Sequence, residues 1–547
     1  MNTRREQFSE LLASLEQEAA EFFEYETDKQ QLLQQDYQNE DSAKLKLEIT
    51  WLLALLQQKL SLDAEQMHIR LLQTLLPISL RPKPSCCIMQ FSLPQHYSEP
   101  CCNIARWQAL TCQETNSTIL KNIDFRTCYT TQLLPLELYS CQQQAHQTTQ
   151  DLILNFKCHT EITTASLNCN TIRFYINANS KRAYQIYAGL QQNILHAELL
   201  SAQQNLPLQL KIKTVGFKHK EQLFTLPSET NLLLGHNLLE EFFSFPHKFL
   251  FIDMHGIKPI NQIDQQKFAL KITFTTQQNL PELKPDNLRL NCCPCINITA
   301  GSTQVIEHNG EKQQYPLQPD SPRTHAIFAI DEISAWLPHQ QKTIKYQATE
   351  LDNDTELPPT YSTAINSQLN KPALQYKISL HNSPTPAIIS SKAWLYEPKL
   401  SSHQQLNNLK GCCDNNSAIE FYNLSHLSKI TAPDLSQDNI LWLIKTLSKN
   451  HFSLLGKTGI LNHLYSIKAN HQQQSLRLIN NLLSVNSSRC QQLKNGQLIA
   501  GIHSHLHFNS TAFESHGERL IIEKILSQIY SSNAPINSFH NITISST

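Results

Sequence analysis

Glycine is scarce in this chain, with twelve residues in 547, about 2% where about 7% is usual. Phosphate-cradling loops are built from clustered glycines, and neither GxGxxG nor GxxxxGK[ST] occurs, which argues against nucleotide chemistry. Charge is scarce as well. Charged residues make up 17% of the chain against about 25% in typical soluble proteins, and 45 Lys+Arg offset 46 Asp+Glu to a net charge of −1. Without a basic excess there is no field to hold DNA, RNA or an anionic membrane as the main partner. The opening residues read MNTRREQFSELL, not a basic-then-apolar leader, and no uncharged apolar run approaches the roughly 18 residues of a membrane span. A cytoplasmic chain is expected. No GxSxG nucleophile elbow is present, and no cysteine has a helix-start or basic setting that would mark a lowered pKa, so nucleophilic catalysis has no residue to stand on.

Cysteine is the exception to this scarcity, at 15. The count is odd, and Cys86-Cys87, Cys101-Cys102 and Cys412-Cys413 are adjacent pairs whose side chains point in opposite directions on a strand. Reduced, mostly buried thiols are expected rather than a disulfide framework.

At 547 residues, roughly three or four domains are expected. Phe8, Leu11, Leu12, Leu15, Ala19 and Phe22 recur at the i, i+3, i+4, i+7 spacing of one helix face. A second helix is predicted from about Ala43 to Leu76, with Leu45, Ile49, Leu52, Leu56 and Leu60 in register, ended by Pro77, Pro82 and Pro84. Beyond Pro84 the period becomes two. Alternation predicts strands through Leu152–Cys158, Leu208–Ile212 and Phe268–Phe274, with others at Ile88–Leu93, Thr171–Asn177, Leu288–Ile298, Leu374–Leu380 and Lys392–Leu395. Short helices are predicted at Ala183–Leu190 and Leu232–Phe243. Linker signals lie at Pro281–Pro285 and Thr349–Thr360. The last stretch turns mixed, with helices at Asp438–Asn450, Gln473–Ser484 and Gly517–Ser531 and strands at Gln497–Phe508 and Ser538–Ser545. The expected class is α+β, multidomain and β-rich. It comprises an N-terminal helical segment (1–80), two β-rich domains (81–280 and 281–435) and a mixed α/β C-terminal region (436–547).

Candidate chemistry is thin. His503, His505 and His507 share one face of a strand, a spacing that metal sites sometimes use, but no fourth ligand stands nearby and a solvated strand face explains them as well. Cys292-Cys293-Pro294-Cys295 offers CxC rather than the paired CxxC of zinc ribbons and redox motifs. Glu240 and Glu241 are read as the solvated face of a short helix. The aromatic run from Leu238 to Asp253, with Phe242, Phe243, Phe245, Phe249 and Phe251, is read as core: a helix ending before Pro246 and a buried strand from Phe249 to Ile252.

These segments resemble a known family in order and spacing over nearly the whole chain. An apolar helix (Ile49–Leu60) is followed by Leu71-Leu-Gln-Thr-Leu-Leu-Pro77, then Leu80-Arg-Pro-Lys-Pro-Ser85 and Ile88-Met-Gln-Phe91. Next come Phe125-Arg-Thr-Cys-Tyr129, Leu134-Pro-Leu-Glu137 and Ile172-Arg-Phe-Tyr-Ile-Asn177. The longest motif is Asn237-Leu-Leu-Glu-Glu-Phe-Phe-Ser-Phe-Pro-His-Lys-Phe-Leu-Phe251. Asn291-Cys-Cys-Pro294, Tyr315-Pro-Leu-Gln-Pro-Asp320, Leu443–Leu455 and Asn537-Ser-Phe539 continue the order. This pattern resembles TssF, the larger wedge subunit family of the type VI secretion baseplate, related to wedge proteins of contractile phage tails. The chain departs from the family before the second helix (Asp41–Glu48), after Asn291-Cys-Cys-Pro294, and between about Thr324 and Ser436.

The resemblance implies a non-catalytic structural subunit without cofactor or metal. It implies that two copies join one smaller wedge subunit, TssG, and contact TssE and the adaptor TssK. Six wedges would surround a VgrG spike, prime sheath and tube assembly for effector delivery, and be recruited to an inner-membrane-anchored complex. It also makes the stripe Phe8, Leu11, Leu15, Ala19 and Phe22 a candidate partner-binding face. Two other classes remain open from the residues alone: a carbohydrate-binding or adhesive β-protein, and a metal-dependent enzyme built on His503, His505 and His507.

Overall fold

The computed structural model describes residues 67–546 apart from short internal stretches, of which 115–121, 349–358, 367–373, 401–405 and 448–454 are the longest. The stripe from Phe8 to Phe22 and the predicted helix Ile49–Leu60 lie outside the described residues. The chain divides into two compact units, Met1–Leu71 and Leu72–Thr547. Of the first, residues 67–71 are described, and they are helical. Every sheet among the described residues lies in the second.

Proline sets the change from helix to strand. Pro77–Leu80 forms a single 3-10 turn with Pro at its start, and Cys86–Ser92 begins the β structure. That strand lies in a closed six-stranded barrel in the order Cys86–Ser92, Cys292–Ile296, Asn122–Thr127, Ala109–Glu114, Leu409–Cys413 and Asn416–Asn423. A five-stranded sheet runs Asn205–Pro207, Ile194–Leu200, Lys267–Thr275, Thr149–Cys158, Leu136–Ala145, and a four-stranded sheet runs Lys211–Thr214, Phe251–His255, Thr171–Ile176, Leu288–Arg289. Two further sheets are built between Thr299 and Tyr396. Barrel strands thus come from residues 86–127, 292–296 and 409–423, and the four sheets just named are inserted between them, while a three-stranded sheet of Leu482–Lys494, Gln497–Phe508 and Phe539–Ser546 follows the last barrel strand.

Alternation places the core as expected. Phe268, Leu270, Ile272 and Phe274 are buried on Lys267–Thr275, facing the same way as Leu152, Leu154, Phe156 and Cys158 of the adjacent strand. Phe156 stacks on Phe268 with ring centroids 5.0 Å apart. The helix Ser180–Leu190 is capped by Asn179, whose side chain accepts from the Arg182 amide at 3.0 Å. Helix Leu234–Ser244 packs on helix His516–Ser532 so closely that a Cβ at Gly235 would sit 2.5 Å from the Ile529 amide nitrogen.

The β-rich α+β class is as expected, and most elements fall where periodicity places them. Three segments differ. The predicted strand Leu208–Ile212 is ordered as a strand only from Lys211, although Leu208 and Leu210 are buried. The predicted strand Leu288–Ile298 breaks into Leu288–Arg289 and Cys292–Ile296, because Asn291 adopts φ 57°, outside the β region. The predicted helix Gln473–Ser484 stops at Asn481, and Leu482–Lys494 is a thirteen-residue strand. Its polar run of Asn, Ser and Gln carries little alternation. Pairing with Gln497–Phe508 along almost its whole length is what fixes it.

The aromatic run is core. Phe249 is fully buried, with ring centroids 5.0 Å from Phe217 and 5.8 Å from Phe242, although the strand starts at Phe251 because Pro246–Phe249 forms a 3-10 turn. Replacing Phe249 by Ala is expected to cost about 3–5 kcal/mol in urea unfolding. A loss below about 1 kcal/mol would show that the site collapses around the missing ring or that the ring is not core.

Candidate functional site: a buried charged junction

Helix Leu234–Ser244 is covered all round. Leu238, Leu239, Phe242 and Phe243 are buried, and so are the two carboxylates between them. Glu240 is 2% exposed and Glu241 0%, which overturns their reading as a solvated face. An unpaired carboxylate in such a place would be prohibitively costly, so each has been given its own lysine.

Glu240 meets Lys83, whose Nζ lies 2.6 Å from Oε2, and His236, whose Nε2 lies 3.4 Å from Oε1. His236 Nε2 is in turn 3.1 Å from Ser79 Oγ. Lys83 also donates to the Ile78 carbonyl and sits 5.3 Å from the Phe224 ring centroid. Its backbone is pinned by an antiparallel bridge to Thr431. Burial by itself would raise the Glu240 pKa. Lys83 and His236 outweigh it and hold the carboxyl well below the usual range.

Glu241 points to the other side. Its Oε1 accepts from the Leu223 amide at 2.7 Å and the Phe224 amide at 3.4 Å, and its Oε2 receives the ammonium of Lys248. Lys248, fully buried, also donates to the Glu221 carbonyl at 3.1 Å. Two more carboxylates gather the amides of the same loop. Glu221 Oε2 accepts from Gly216, Phe217 and Lys218 at 2.8, 3.0 and 3.1 Å. Glu229 accepts from Leu226 at 3.1 Å and forms a two-point pair with Arg81. Gly216 is required here, since at φ +103° a Cβ would lie 2.9 Å from the Lys248 carbonyl.

The same region ties together motifs that are far apart in sequence. Tyr129 Oη donates to the Lys248 carbonyl at 3.0 Å. Arg173 forms a two-point pair with Asp253 at 2.7 and 2.9 Å, with its guanidinium 5.9 Å from the Tyr129 ring centroid. Asn291, in its positive-φ turn, accepts from the Leu134 amide at 2.8 Å and donates to its carbonyl at 2.9 Å. Lys83, Glu240, Glu241 and Lys248 are buried, and Arg81, Arg173, Glu229 and Asn291 are half-buried at the edge of the junction. The arrangement positions loops and sheets.

Sequence reasoning missed Arg81, Lys83, Glu229, Glu240, Glu241 and Lys248 as a set. A signal was present. Glu240 and Glu241 interrupt a run of bulky apolar residues, with Leu238, Leu239, Phe242 and Phe243 on either side of them. The candidate metal residues have another role. His503 and His505 are hydrogen-bonded to Thr543 Oγ1 at 3.1 and 2.6 Å, and His507 to Ser545 Oγ at 2.8 Å. Burial, with His507 and His503 adding, lowers the His505 pKa. Among the described residues no group of three or more His, Cys, Asp or Glu is arranged to hold a metal. All fifteen cysteines are free, ten of them buried, and Cys292, Cys293 and Cys295 lie along a barrel strand. Among the described residues no helix is long and apolar enough to cross a membrane.

Charges paired inside the framework, tying separate sheets together, make this junction an architectural element. The chain belongs to the TssF family of the type VI secretion system, whose description it matches over residues 12–547, and is a baseplate subunit. Its fold is similar to a chain of the type VI secretion system TssK-TssF-TssG baseplate subcomplex solved by cryo-electron microscopy. The TM-score is 0.78 at 17% identity, covering 92% of this chain and 96% of that one. It is also similar to a chain of the type VI secretion baseplate complex, with a TM-score of 0.58 at 15% identity, covering 99% of this chain and 96% of that one. No curated protein matches the chain.

Two outcomes are expected from this geometry. Lys83→Met leaves Glu240 buried beside a single weak partner and should cost about 3–5 kcal/mol, while adding Glu240→Met should recover part of that loss. Strictly additive losses in urea unfolding would contradict the pairing. Because the folded Glu240 pKa is depressed, its contribution is fully present above the unfolded carboxyl value of about 4.3 and is lost as pH falls below it. The melting temperature should therefore drop more steeply below about pH 4 in the wild type than in the double variant.

Thiol labelling supplies the second outcome. Cys412 should react at once and the half-buried Cys101, Cys102, Cys141 and Cys490 slowly. The ten buried thiols, of which Cys112 and Cys158 are pushed up to about 12 by burial, should react only after denaturation. Rapid labelling of most thiols in native protein would contradict this.

Proposed function

We propose that this chain acts as a non-catalytic scaffold in the baseplate wedge, where it joins TssG and the adaptor TssK. Two observations support this reading: the family match from residue 12 to 547, and the fold shared with a chain of a complex that also contains TssK and TssG. A second copy of the chain, TssE and the VgrG spike complete the proposed neighbourhood, with recruitment to an inner-membrane-anchored complex. In this role the buried junction keeps the sheets in fixed relation so that outer surfaces present a rigid template to partners.

The proposed partner-binding face is the stripe Phe8, Leu11, Leu15, Ala19 and Phe22, an apolar helix face set among Glu and Gln. It docks against TssG or the second copy in the manner of helices in a bundle.

Co-expression of the chain with TssG and TssK from the same bacterium should give one complex that survives size-exclusion chromatography. Leu11→Glu with Leu15→Glu should release the partners from a subunit whose melting temperature is unchanged. A wild-type chain that elutes alone would sink the scaffold reading. A variant that still assembles would sink the stripe.

A further inference from the structure

The C-terminal sheet extends beyond what covers it. Leu482–Lys494 and Gln497–Phe508 form a long antiparallel hairpin, and Phe539–Ser546 runs parallel to the second strand only from Gly501 onward. At the base, one face of the hairpin carries Leu506 and Phe508, buried in the core that includes Ile521, Ile522 and Ile525 of helix His516–Ser532. That covered zone ends at a polar seal, where Ser504 Oγ meets Ser487 Oγ at 2.6 Å and His540 Nε2 at 2.7 Å. Past the seal the same face continues outward as Ile502, Ala500 and Leu498, with Leu493 opposite Leu498 in the register. Leu493 is 70% exposed and Leu498 65%. A core-facing surface thus runs on into solvent and ends in two facing leucines.

The charge around it is one-sided. From residue 482 to residue 508 the hairpin sequence has no Asp or Glu and two basic residues, Arg489 and Lys494. Arg489 is exposed and, in the register, opposes Ile502 on the leucine face.

We propose that the distal hairpin is a docking surface for another subunit of the baseplate complex, one presenting an apolar seat rimmed by carboxylates; this rests on the scaffold function proposed above. Leu493 and Leu498 enter the seat, and Arg489 and Lys494 orient the encounter. Pairing of two such hairpins would bring like charges together, which disfavours a second copy as the occupant. A membrane is disfavoured because interfacial anchors are aromatic, and the tip between Arg489 and Gly501 has no Trp, Tyr or Phe.

The test uses the full chain with TssG and TssK of the same bacterium, comparing wild type, Leu493→Glu with Leu498→Glu, and Gln492→Glu on the opposite face. The leucine double variant is expected to weaken assembly about tenfold or more at unchanged melting temperature, while Gln492→Glu stays within about twofold. Wild-type assembly should also weaken as salt rises from about 0.1 to about 0.5 M. If wild type itself fails to assemble, the scaffold reading falls. If wild type assembles and the double variant assembles equally well, the docking surface falls while the scaffold stands. Sedimentation of wild type, but not of the double variant, with phosphatidylglycerol–phosphatidylethanolamine vesicles would assign the hairpin to a membrane instead. A homodimer that the double substitution dissolves would assign it to a second copy. Either result overturns the proposal.

Discussion

Two adjacent buried glutamates, each answered by its own lysine, are the constraint on which the rest of the chain depends. Because Glu240 and Glu241 project from neighbouring positions of one helix, they diverge and reach different parts of the chain. One arm draws in the proline-rich run that leads into the barrel, through Lys83. The other organises the loop before the helix, through Leu223 and Phe224, and the turn after it, through Lys248. An apolar helix of the same shape would fill the space as well, but it would leave loop amides unanswered. Glu221 and Glu229 repeat the device on the same loop.

The constraint also explains why particular motifs occur together. Arg81 and Lys83, two residues apart in one proline-rich run, pair with Glu229 and Glu240. Tyr129, Arg173 and Asp253 come from three separate motifs and meet within one cluster beside the Lys248 carbonyl. Motif spacing along the chain is thus the shadow of a three-dimensional network. The pieces look unrelated in sequence because their partners lie 80 residues or more away, beyond the reach of any local pattern.

What was legible in the sequence follows the same logic. Strands with one face in the core, such as Lys267–Thr275, write their alternation plainly, and helix His516–Ser532 shows its apolar spacing. The strand Leu482–Lys494 does not, since much of it faces solvent on both sides and its identity comes from its partner strand. The histidine triplet was readable as a strand face, but its hydroxyl partners arrive on Phe539–Ser546, a strand that only the intervening helix brings back. Glu240 and Glu241 were misread because a charged pair on a helix is ordinarily solvated, and local pattern does not register cover on every side.

The closure of the barrel has a consequence for synthesis. Its first strand, Cys86–Ser92, pairs directly with its last, Asn416–Asn423, across about 320 residues of intervening chain. At about 5–20 residues per second, the opening strand leaves the ribosome tens of seconds before its closing neighbour exists. Through that interval the nascent barrel keeps an open edge, the kind of surface that pairs with other chains. A fragment truncated anywhere before residue 416 keeps that edge for good. The inserted sheets can settle earlier, so the first strand of the barrel waits for a neighbour made after them.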